Sequence, residues 1–240
     1  MMRTLWTWLI GTLVTIPLAT LMILGGLFGA SGDYFWWGAR SWGRCILWAS
    51  NVRVRLEGVE HLALDRPQVI VSNHSSWFDV FALAAKLPKR YRFVAKIELA
   101  RIPVFGRGWV ASGHIAIDRS DHVAALAAMD RAGEVIRSDN SAIIIFPEGT
   151  RSPTGEMLPF KKGGFMVALR TGADLLPCAV IGSRDIHSKA DWRVRSGEIT
   201  IRFGEPVATA GCTEQDRGRL IQRVRGEIAA MLEQPAHSTR

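Results

Sequence analysis

Val-Ser-Asn-His-Ser-Ser-Trp-Phe-Asp-Val, at residues 71–80, is the stretch that decides how the chain is interpreted. The apolar run at residues 68–72 overlaps its start and has the length of a buried strand. Ser76 is a favourable N-cap for a helix beginning at Trp77, and Asp79 then takes the third helical position of a capping box. The stretch therefore predicts a strand, a short loop and a helix.

The same stretch also permits a chemical interpretation, because His74 lies five residues before Asp79. An imidazole exchanges protons near neutral pH, and a carboxylate on one ring nitrogen fixes its tautomer. Ser75 and Ser76 are too local to be obvious nucleophiles, and no Gly-x-Ser-x-Gly elbow occurs in the sequence. A substrate would then supply the hydroxyl. Spacing alone leaves open whether Asp79 orients His74 or only caps the helix.

Strand and helix patterns alternate on both sides of this stretch. Apolar or alternating runs predict strands at residues 52–57, 68–72, 92–95, 113–117, 142–147, 175–181 and 198–203. Helical spacing predicts helices at residues 77–87, 122–138, 163–171 and 213–233, with a loop and a short helix at 101–109. The fold class is therefore α/β, with a mixed, largely parallel sheet flanked by helices. Ligands bind beyond the carboxyl ends of strands in such sheets, and His74, Arg119 and Glu148 closely follow predicted strands.

The first fifty residues differ from the rest of the chain. No charged residue occurs from Thr4 to Gly32, and six of the nine tryptophans lie in residues 1–50. About 20 apolar residues suffice to cross a bilayer core, so this run predicts a retained membrane helix. A signal peptide and a buried core helix are the alternatives; the run is longer than the roughly 7–15 apolar residues of a signal peptide.

Residues 33–51 predict a second helix, rich in tryptophan, with Arg40 and Arg44 on its polar stripe. Two arrangements remain open: one spanning helix plus an interfacial one, or a two-helix hairpin dipped into one leaflet. The basic residues that follow place the remainder on the cytoplasmic side. We expect a hydrophobic helical membrane anchor at 1–50, an α/β domain at 51–233 and a flexible tail at 234–240.

Composition narrows the classes of partner. The 240 residues carry a formal net charge of +8, which predicts an anionic membrane surface or a phosphate-bearing substrate. No nucleic-acid-binding motif is visible, so nucleic acid is not expected as a partner. Three widely spaced cysteines fit a reducing compartment.

Two further stretches bring charged residues to strand ends. Residues 146–151, Phe-Pro-Glu-Gly-Thr-Arg, follow an apolar strand, and Arg151 suits bidentate binding of phosphate. Residues 113–119 deliver Arg119 to another strand end. A surface Glu–Arg or Asp–Arg pair is the alternative in each case. His114 and Asp118 have no third ligand nearby, so no metal site is predicted.

Taken together, these motifs resemble the glycerolipid acyltransferases, in particular the 1-acylglycerol-3-phosphate acyltransferase branch. Residues 73–79 resemble the His-x-x-x-x-Asp motif of that family, and residues 113–119, 146–152 and 176–180 resemble its second, third and fourth blocks. Lys96 and the segment 160–163 also match, and the resemblance covers residues 52–203 in order. Cys178 and Ala116 depart from the usual residues and are expected to alter only packing.

The resemblance implies transfer of a fatty acyl group from acyl-CoA or acyl carrier protein to the sn-2 hydroxyl of 1-acylglycerol 3-phosphate, making phosphatidate. His74 would be the general base and Asp79 its orienting carboxylate, with backbone amides near Ser76 as oxyanion donors. No tightly bound cofactor is expected. The lipid acceptor implies a place on the cytoplasmic face of the inner (plasma) membrane. The implied substrate-binding residues are Lys96, Arg119, Phe146, Pro147, Glu148, Gly149, Thr150 and Arg151. Among them Arg151, Arg119 and Lys96 would hold the phosphate of the acceptor, and Glu148, Gly149 and Thr150 would shape the acceptor site.

Other functions stay open at this point. The acceptor of an enzyme of this class can instead be glycerol 3-phosphate, another lysophospholipid or a lyso-aminolipid. The same His–Asp pair acting on water would make a lipid hydrolase. A membrane-binding module without activity is the remaining alternative.

Overall fold

A mixed sheet forms the centre of the molecule. The computed structural model describes residues 1–118, 127–128, 132–134 and 139–235. Within these residues seven strands form one sheet: β1 (Val52–Glu57), β2 (Gln68–Ser72), β3 (Tyr91–Lys96), β4 (Ile115–Ile117), β5 (Ala142–Ile145), β6 (Asp174–Ile181) and β7 (Gly197–Phe203). Their spatial order is β1-β7-β6-β2-β5-β3-β4. Only the β6–β7 pair is antiparallel among these strands, which confirms the predicted fold class.

Helices cover both faces of the sheet and form the N-terminal segment. The helices with both ends in the described residues are α1 (Met2–Leu27), α2 (Gly32–Ser50), α3 (Trp77–Lys86), α4 (Ile97–Ala100), α5 (Phe105–Ala111), α6 (Gly163–Thr171), α7 (Ser183–Ile186) and α8 (Arg217–Glu233). Two short 3₁₀ helices lie at Val59–His61 and Glu214–Asp216.

The central strands are buried on both faces. Every residue of β2 and β5 is buried. Successive side chains of a strand point to opposite faces, so Ile70 packs in the same core as Phe78 of α3, whereas Val69 packs in the other core with Phe165 of α6. Their apolar runs therefore predicted strands covered by helices on both sides.

Glycines allow the N-terminal helices to pack closely on the domain. A Cβ atom on Gly108 of α5 would lie 2.9 Å from Ala19 of α1. A Cβ on Gly43 of α2 would lie 2.6 Å from the carbonyl oxygen of Phe81 in α3. Both approaches are closer than a β-carbon tolerates, so these crossings require glycine.

Helix α1 contacts the domain near both of its ends. Thr4 Oγ1 accepts the Val194 amide at 3.1 Å and donates to the Val194 carbonyl at 3.4 Å, while a Cβ on Gly26 would lie 3.2 Å from Ala111. In the described part of the chain, α1 is the one helix long and apolar enough to cross a membrane, by length and composition. Only 17% of the apolar 18-residue segment of this helix is buried, so α1 is not the buried core helix that was one of the alternatives.

The differences between predicted and observed elements have local causes. The strand predicted at 142–147 ends at Ile145, because the chain turns where the Gly149 amide donates to the Phe146 carbonyl. Helices α4 and α7 were not predicted, since four residues are too few to show helical periodicity. The helix predicted at 122–138 falls largely outside the described residues, although 127–128 and 132–134 are helical.

Candidate functional site

The predicted site residues meet at the carboxyl ends of neighbouring strands. β2, β5 and β3 are adjacent in the sheet. His74 follows β2, Phe146 follows β5, and Lys96 is the last residue of β3. Because parallel strands end at the same edge, three segments far apart in sequence lie side by side there.

Helix α3 begins at the site with the predicted capping box. Ser76 Oγ accepts the Phe78 amide at 3.1 Å, and Asp79 Oδ2 accepts the Ser76 amide at 2.9 Å. The box satisfies backbone donors that a helix start leaves without intrahelical partners. It also fixes the Asp79 carboxylate beside the loop that carries His74.

The same oxygen of Asp79 contacts the histidine. Asp79 Oδ2 lies 2.8 Å from His74 Nδ1 and accepts the Ser75 amide at 2.8 Å. A carboxylate oxygen that accepts amide hydrogens is an acceptor for the ring as well, so we assign the ring proton to Nδ1. The lone pair is then on Nε2. The cap and the His–Asp contact, which spacing left as alternatives, are both present.

Neither serine beside His74 is available as a nucleophile. Ser75 Oγ lies 3.1 Å from Ser183 Oγ, and Ser76 Oγ donates to the His187 carbonyl at 2.6 Å. Both serines are buried. Among the described residues no hydroxyl or thiol hydrogen-bonds to His74 Nε2. His74 Nε2 can therefore take a proton from the hydroxyl of a bound substrate or from a water molecule.

Glu148 joins the His74 loop to the loop after β5. Its Oε1 accepts the His74 amide at 2.7 Å and its Oε2 accepts the Leu158 amide at 3.0 Å. Burial raises the pKa of this carboxyl, while the two amide donors act in the opposite direction. A further backbone bond, Ser152 N–H to the His74 carbonyl at 2.8 Å, holds the two loops together.

A cavity of about 240 Å³ opens beside His74. Phe146 stacks on the imidazole with ring centres 4.1 Å apart, and the Arg151 guanidinium lies 5.2 Å from the ring centre of Trp77. Burial lowers the pKa of Arg151, yet a guanidinium remains charged at neutral pH. The predicted residues that line the cavity are His74, Lys96, Phe146, Gly149, Thr150 and Arg151.

Two of the predicted substrate-binding residues, Pro147 and Glu148, lie away from the cavity surface. Neither residue lines the cavity, and both are buried behind it. The Pro147 carbonyl accepts the Lys161 amide at 2.8 Å, and both oxygens of Glu148 accept backbone amides. These two residues therefore shape the loop and do not face a ligand. Arg119, the remaining predicted phosphate ligand, lies outside the described residues.

Three of the backbone amides near Ser76 that we expected as oxyanion donors already have other partners. The amides of Ser75 and Ser76 both donate to Asp79, and the Phe78 amide donates to Ser76 Oγ. These donors are already committed to the capping box and the dyad. An oxyanion at this site needs other donors.

Aromatic residues of the cavity wall come from segments without a chemical motif. Trp42 of α2 and both Phe105 and Trp109 of α5 line the cavity together with Phe93. The sequence does not mark these residues as functional, because an apolar residue at helical spacing looks the same in a core and in a ligand cavity. Only the packing of α2 and α5 beside β3 distinguishes the two.

Two residues from the recognised blocks are structural. His114 is enclosed by aromatic rings, with Trp109 at 4.2 Å, and its Nδ1 accepts the Phe93 amide at 3.2 Å. Burial lowers the pKa of His114 to about 3, so its ring stays neutral. Burial also raises the pKa of the Cys178 thiol to about 12. Neither residue is placed to exchange protons in the cavity.

Comparison with known proteins assigns the family. A family model described as Acyltransferase matches residues 53–181, more than half of the chain, and spans the site. The chain belongs to the acyltransferase family. Its His74–Asp79 contact and the loop after β5 both lie inside the matched region.

Several proteins that are similar in sequence to this acyltransferase are named as 1-acyl-sn-glycerol-3-phosphate acyltransferases. The 1-acyl-sn-glycerol-3-phosphate acyltransferase of Cocos nucifera is 32% identical over 182 residues, which are 76% of this chain and 58% of the relative. The human alpha enzyme of that name is 33% identical over 180 residues, 75% of this chain and 64% of the relative. This chain therefore spans less than two thirds of the length of these two relatives.

A Caenorhabditis elegans relative matches over more of its length. The putative 1-acyl-sn-glycerol-3-phosphate acyltransferase acl-2 is 31% identical over 210 residues, 87% of this chain and 73% of that protein. Among solved structures, the 1-acyl-sn-glycerophosphate (LPA) acyltransferase PlsC of Thermotoga maritima superimposes with a TM-score of 0.80. The superposition covers 98% of this chain and 97% of that one at 24% identity, and it establishes a shared fold that includes the N-terminal helices.

Proposed function

We propose that this chain transfers a fatty acyl group from an acyl thioester to the sn-2 hydroxyl of 1-acylglycerol 3-phosphate, which makes phosphatidate. The observation that carries the proposal is the 2.8 Å contact of His74 with Asp79, beside a cavity that Arg151 and Lys96 also line. A base that is held by a buried carboxylate and two cations suited to phosphate thus border one space. The names of the relatives support the same reaction.

In the first step His74 acts as a general base. Its Nδ1 donates to Asp79, so Nε2 accepts the proton of the acceptor hydroxyl as that oxygen attacks the thioester carbonyl. The carbon–oxygen bond forms, and Asp79 stabilises the resulting imidazolium. A base of this kind contributes about 10²–10⁴-fold to the rate, and holding both substrates in one cavity contributes further.

In the second step the tetrahedral intermediate breaks its carbon–sulfur bond. The thiolate leaves with the electron pair and takes the proton from Nε2, so His74 returns to its starting state. The donor is an acyl-CoA or an acyl carrier protein thioester, each of which carries phosphate groups that suit the net charge of +8. The reaction uses no tightly bound cofactor.

Arg151 and Lys96 bind the phosphate of the acceptor. The planar fork of Arg151 matches two phosphate oxygens, and Lys96 adds a point charge from the end of β3. The Thr150 hydroxyl and the Gly149 backbone complete this side of the cavity. Arg119 is proposed as a third phosphate ligand.

The N-terminal helices seat the enzyme in one leaflet, as a two-helix hairpin. A helix held to its domain at Thr4 and again at Gly26 does not project from it through a bilayer. The outer face of α1 exposes Leu9 and Leu13, and α2 exposes Trp48. With the domain on the cytoplasmic face of the inner (plasma) membrane, a lipid acceptor enters the cavity from that leaflet.

Transfer of labelled acyl groups by the purified full chain tests the proposal. We expect transfer from acyl-CoA or acyl carrier protein to 1-acylglycerol 3-phosphate, with loss of about 10²–10⁴-fold in His74→Ala. His61→Ala is the matched control, because that histidine lies in a 3₁₀ helix outside the cavity. A panel containing glycerol 3-phosphate, other lysophospholipids and lyso-aminolipids identifies any other preferred acceptor.

Three outcomes would contradict the proposal. Absence of transfer to 1-acylglycerol 3-phosphate would reject the acceptor. Release of free fatty acid at the same rate with and without acceptor would indicate a hydrolase. Full transfer activity of His74→Ala would reject the role of His74 as the general base.

A further inference from the structure

The loop between α7 and β7 brings another cation to the rim of the cavity. Lys189 Nζ donates to Thr150 Oγ1 at 3.2 Å and to the Arg151 carbonyl at 3.3 Å. Both partners belong to the loop after β5, whose side chains line the cavity. Lys189 is exposed, so its ammonium group can reach a ligand that enters beside Arg151.

Contacts on both sides hold this loop in place. On the inner side the His187 carbonyl accepts Ser76 Oγ at 2.6 Å, which ties the loop to the cap of α3. On the outer side Trp8 Nε1 donates to the Trp192 carbonyl at 3.3 Å, and Thr4 bonds the Val194 backbone. The backbone on either side of Lys189 is therefore anchored to the dyad helix and to α1.

The cations around the cavity form no salt bridge within the residues that the structure describes. In the described part of the chain, Lys189, Lys96 and Arg151 take part in no ion pair. Asp191, close to Lys189 in sequence, is paired with Arg195 at 2.8 Å. The ammonium group of Lys189 donates to two neutral oxygens, and a charged phosphate oxygen is a stronger acceptor than either.

We propose that Lys189 is a further binding residue of the site and holds a phosphate ester. On entry the phosphate oxygens replace Thr150 Oγ1 and the Arg151 carbonyl as acceptors for the ammonium group. The group is the phosphomonoester of the acceptor, because Thr150 and Arg151 form the acceptor side of the cavity. This inference rests on the proposed function and adds a residue to it.

The test compares Lys189→Ala with Lys189→Arg and with Lys86→Ala. Lys86 is exposed in the last turn of α3, so its replacement removes the same charge outside the cavity. We expect Lys189→Ala to raise KM for 1-acylglycerol 3-phosphate about tenfold, the effect of one charged hydrogen bond, with kcat changed less than about twofold. Lys189→Arg retains most of the affinity, and Lys86→Ala matches the parent chain.

Binding without turnover separates a phosphate contact from a structural effect. In a His74→Ala background, Lys189→Ala should weaken binding of 1-acylglycerol 3-phosphate to the micelle-bound protein about tenfold. Binding of phosphate-free 1-acylglycerol should not change. Equal weakening of both ligands would overturn the inference, since Lys189 would then only support the loop.

Kinetics with each substrate in turn distinguish the two sources of phosphate. A rise in KM for acyl-CoA, with KM for the acceptor unchanged, would overturn the assignment to the acceptor. Unchanged KM values for both would show that Lys189 is a solvated surface lysine. In either case the transfer activity and the loss in His74→Ala would persist, so a failure here is distinct from a failure of the proposed function.

Discussion

Asp79→Asn separates the two tasks of Asp79, which caps α3 and orients His74. Oδ2 accepts three hydrogens, from His74 Nδ1 and from the amides of Ser75 and Ser76. Oδ1 has no hydrogen-bond partner among the described residues. An asparagine can therefore place its oxygen at the Oδ2 position, keep all three contacts and lose only the charge.

The expected magnitudes follow from this geometry. A neutral acceptor weakens three charge-assisted hydrogen bonds, and the new amide group meets no acceptor where Oδ1 was. We expect the free energy of unfolding to fall by about 2–4 kcal/mol. The imidazolium formed during transfer would no longer face a carboxylate, so we expect kcat to fall by about 10²–10⁴-fold.

Ser76→Ala provides the matched control for the cap. It removes the acceptor of the Phe78 amide and should cost about 1–2 kcal/mol of stability, with the dyad intact. The assay is acyl transfer to 1-acylglycerol 3-phosphate, with thermal unfolding followed in the same detergent. Retention of kcat within about threefold in Asp79→Asn would refute the orienting role. A fall in kcat in Ser76→Ala as large as that in Asp79→Asn would refute the separation of the two tasks.

Other substitutions test the packing and the buried charges. Glu148→Gln should lower the free energy of unfolding by about 1–3 kcal/mol, because one of the two backbone amides that donate to the Glu148 carboxylate would face an NH₂ group instead. Chemical denaturation measures this change. An unchanged midpoint would contradict the role of Glu148 in joining the two loops. Gly43→Ala should lower the free energy of unfolding by about 1–3 kcal/mol, because the new methyl group has no room at the α2–α3 crossing. Gly218→Ala is the control, since space is open around its Cβ, and it should leave thermal stability unchanged or raise it. Equal effects of the two substitutions would contradict the close packing of α2 on α3. Burial lowers the pKa of His114 to about 3 in the folded chain, so below about pH 6.5 only the unfolded chain takes up this proton, and the free energy of unfolding falls by about 1.4 kcal/mol per pH unit. His114→Asn should therefore flatten the dependence of the free energy of unfolding on pH between about pH 7.5 and 5. An unaltered dependence would contradict the burial of a neutral ring.

Local pattern was sufficient where one element carried its own signal. The apolar runs of β2 and β5 predicted fully buried strands, and Ser76 with Asp79 predicted the cap of α3. The contact of His74 with Asp79 was expected from the family resemblance, because a spacing of five positions leaves open whether Asp79 orients the ring or only caps the helix.

Local pattern failed where a residue acts on a distant backbone. Glu148 was predicted among the substrate-binding residues, and the structure shows it bonding the His74 amide across 74 positions of sequence. A single sequence does not distinguish an exposed glutamate from a buried one whose carboxylate accepts backbone amides. For the same reason Lys189 carried no signal, because the Thr150 hydroxyl that it contacts lies 39 residues away.

The sequence by itself determined the α/β class and the start of α3, because strand length, helical period and capping act over a few neighbouring residues. Only the tertiary structure decided which motif residues face the cavity. It placed Arg151 in the wall and Pro147 and Glu148 behind it, and it added Trp42 and Trp109 from the helices beside β3. Those assignments depend on how parallel strands and closely packed helices meet at one edge of the sheet, which is a property of long-range packing.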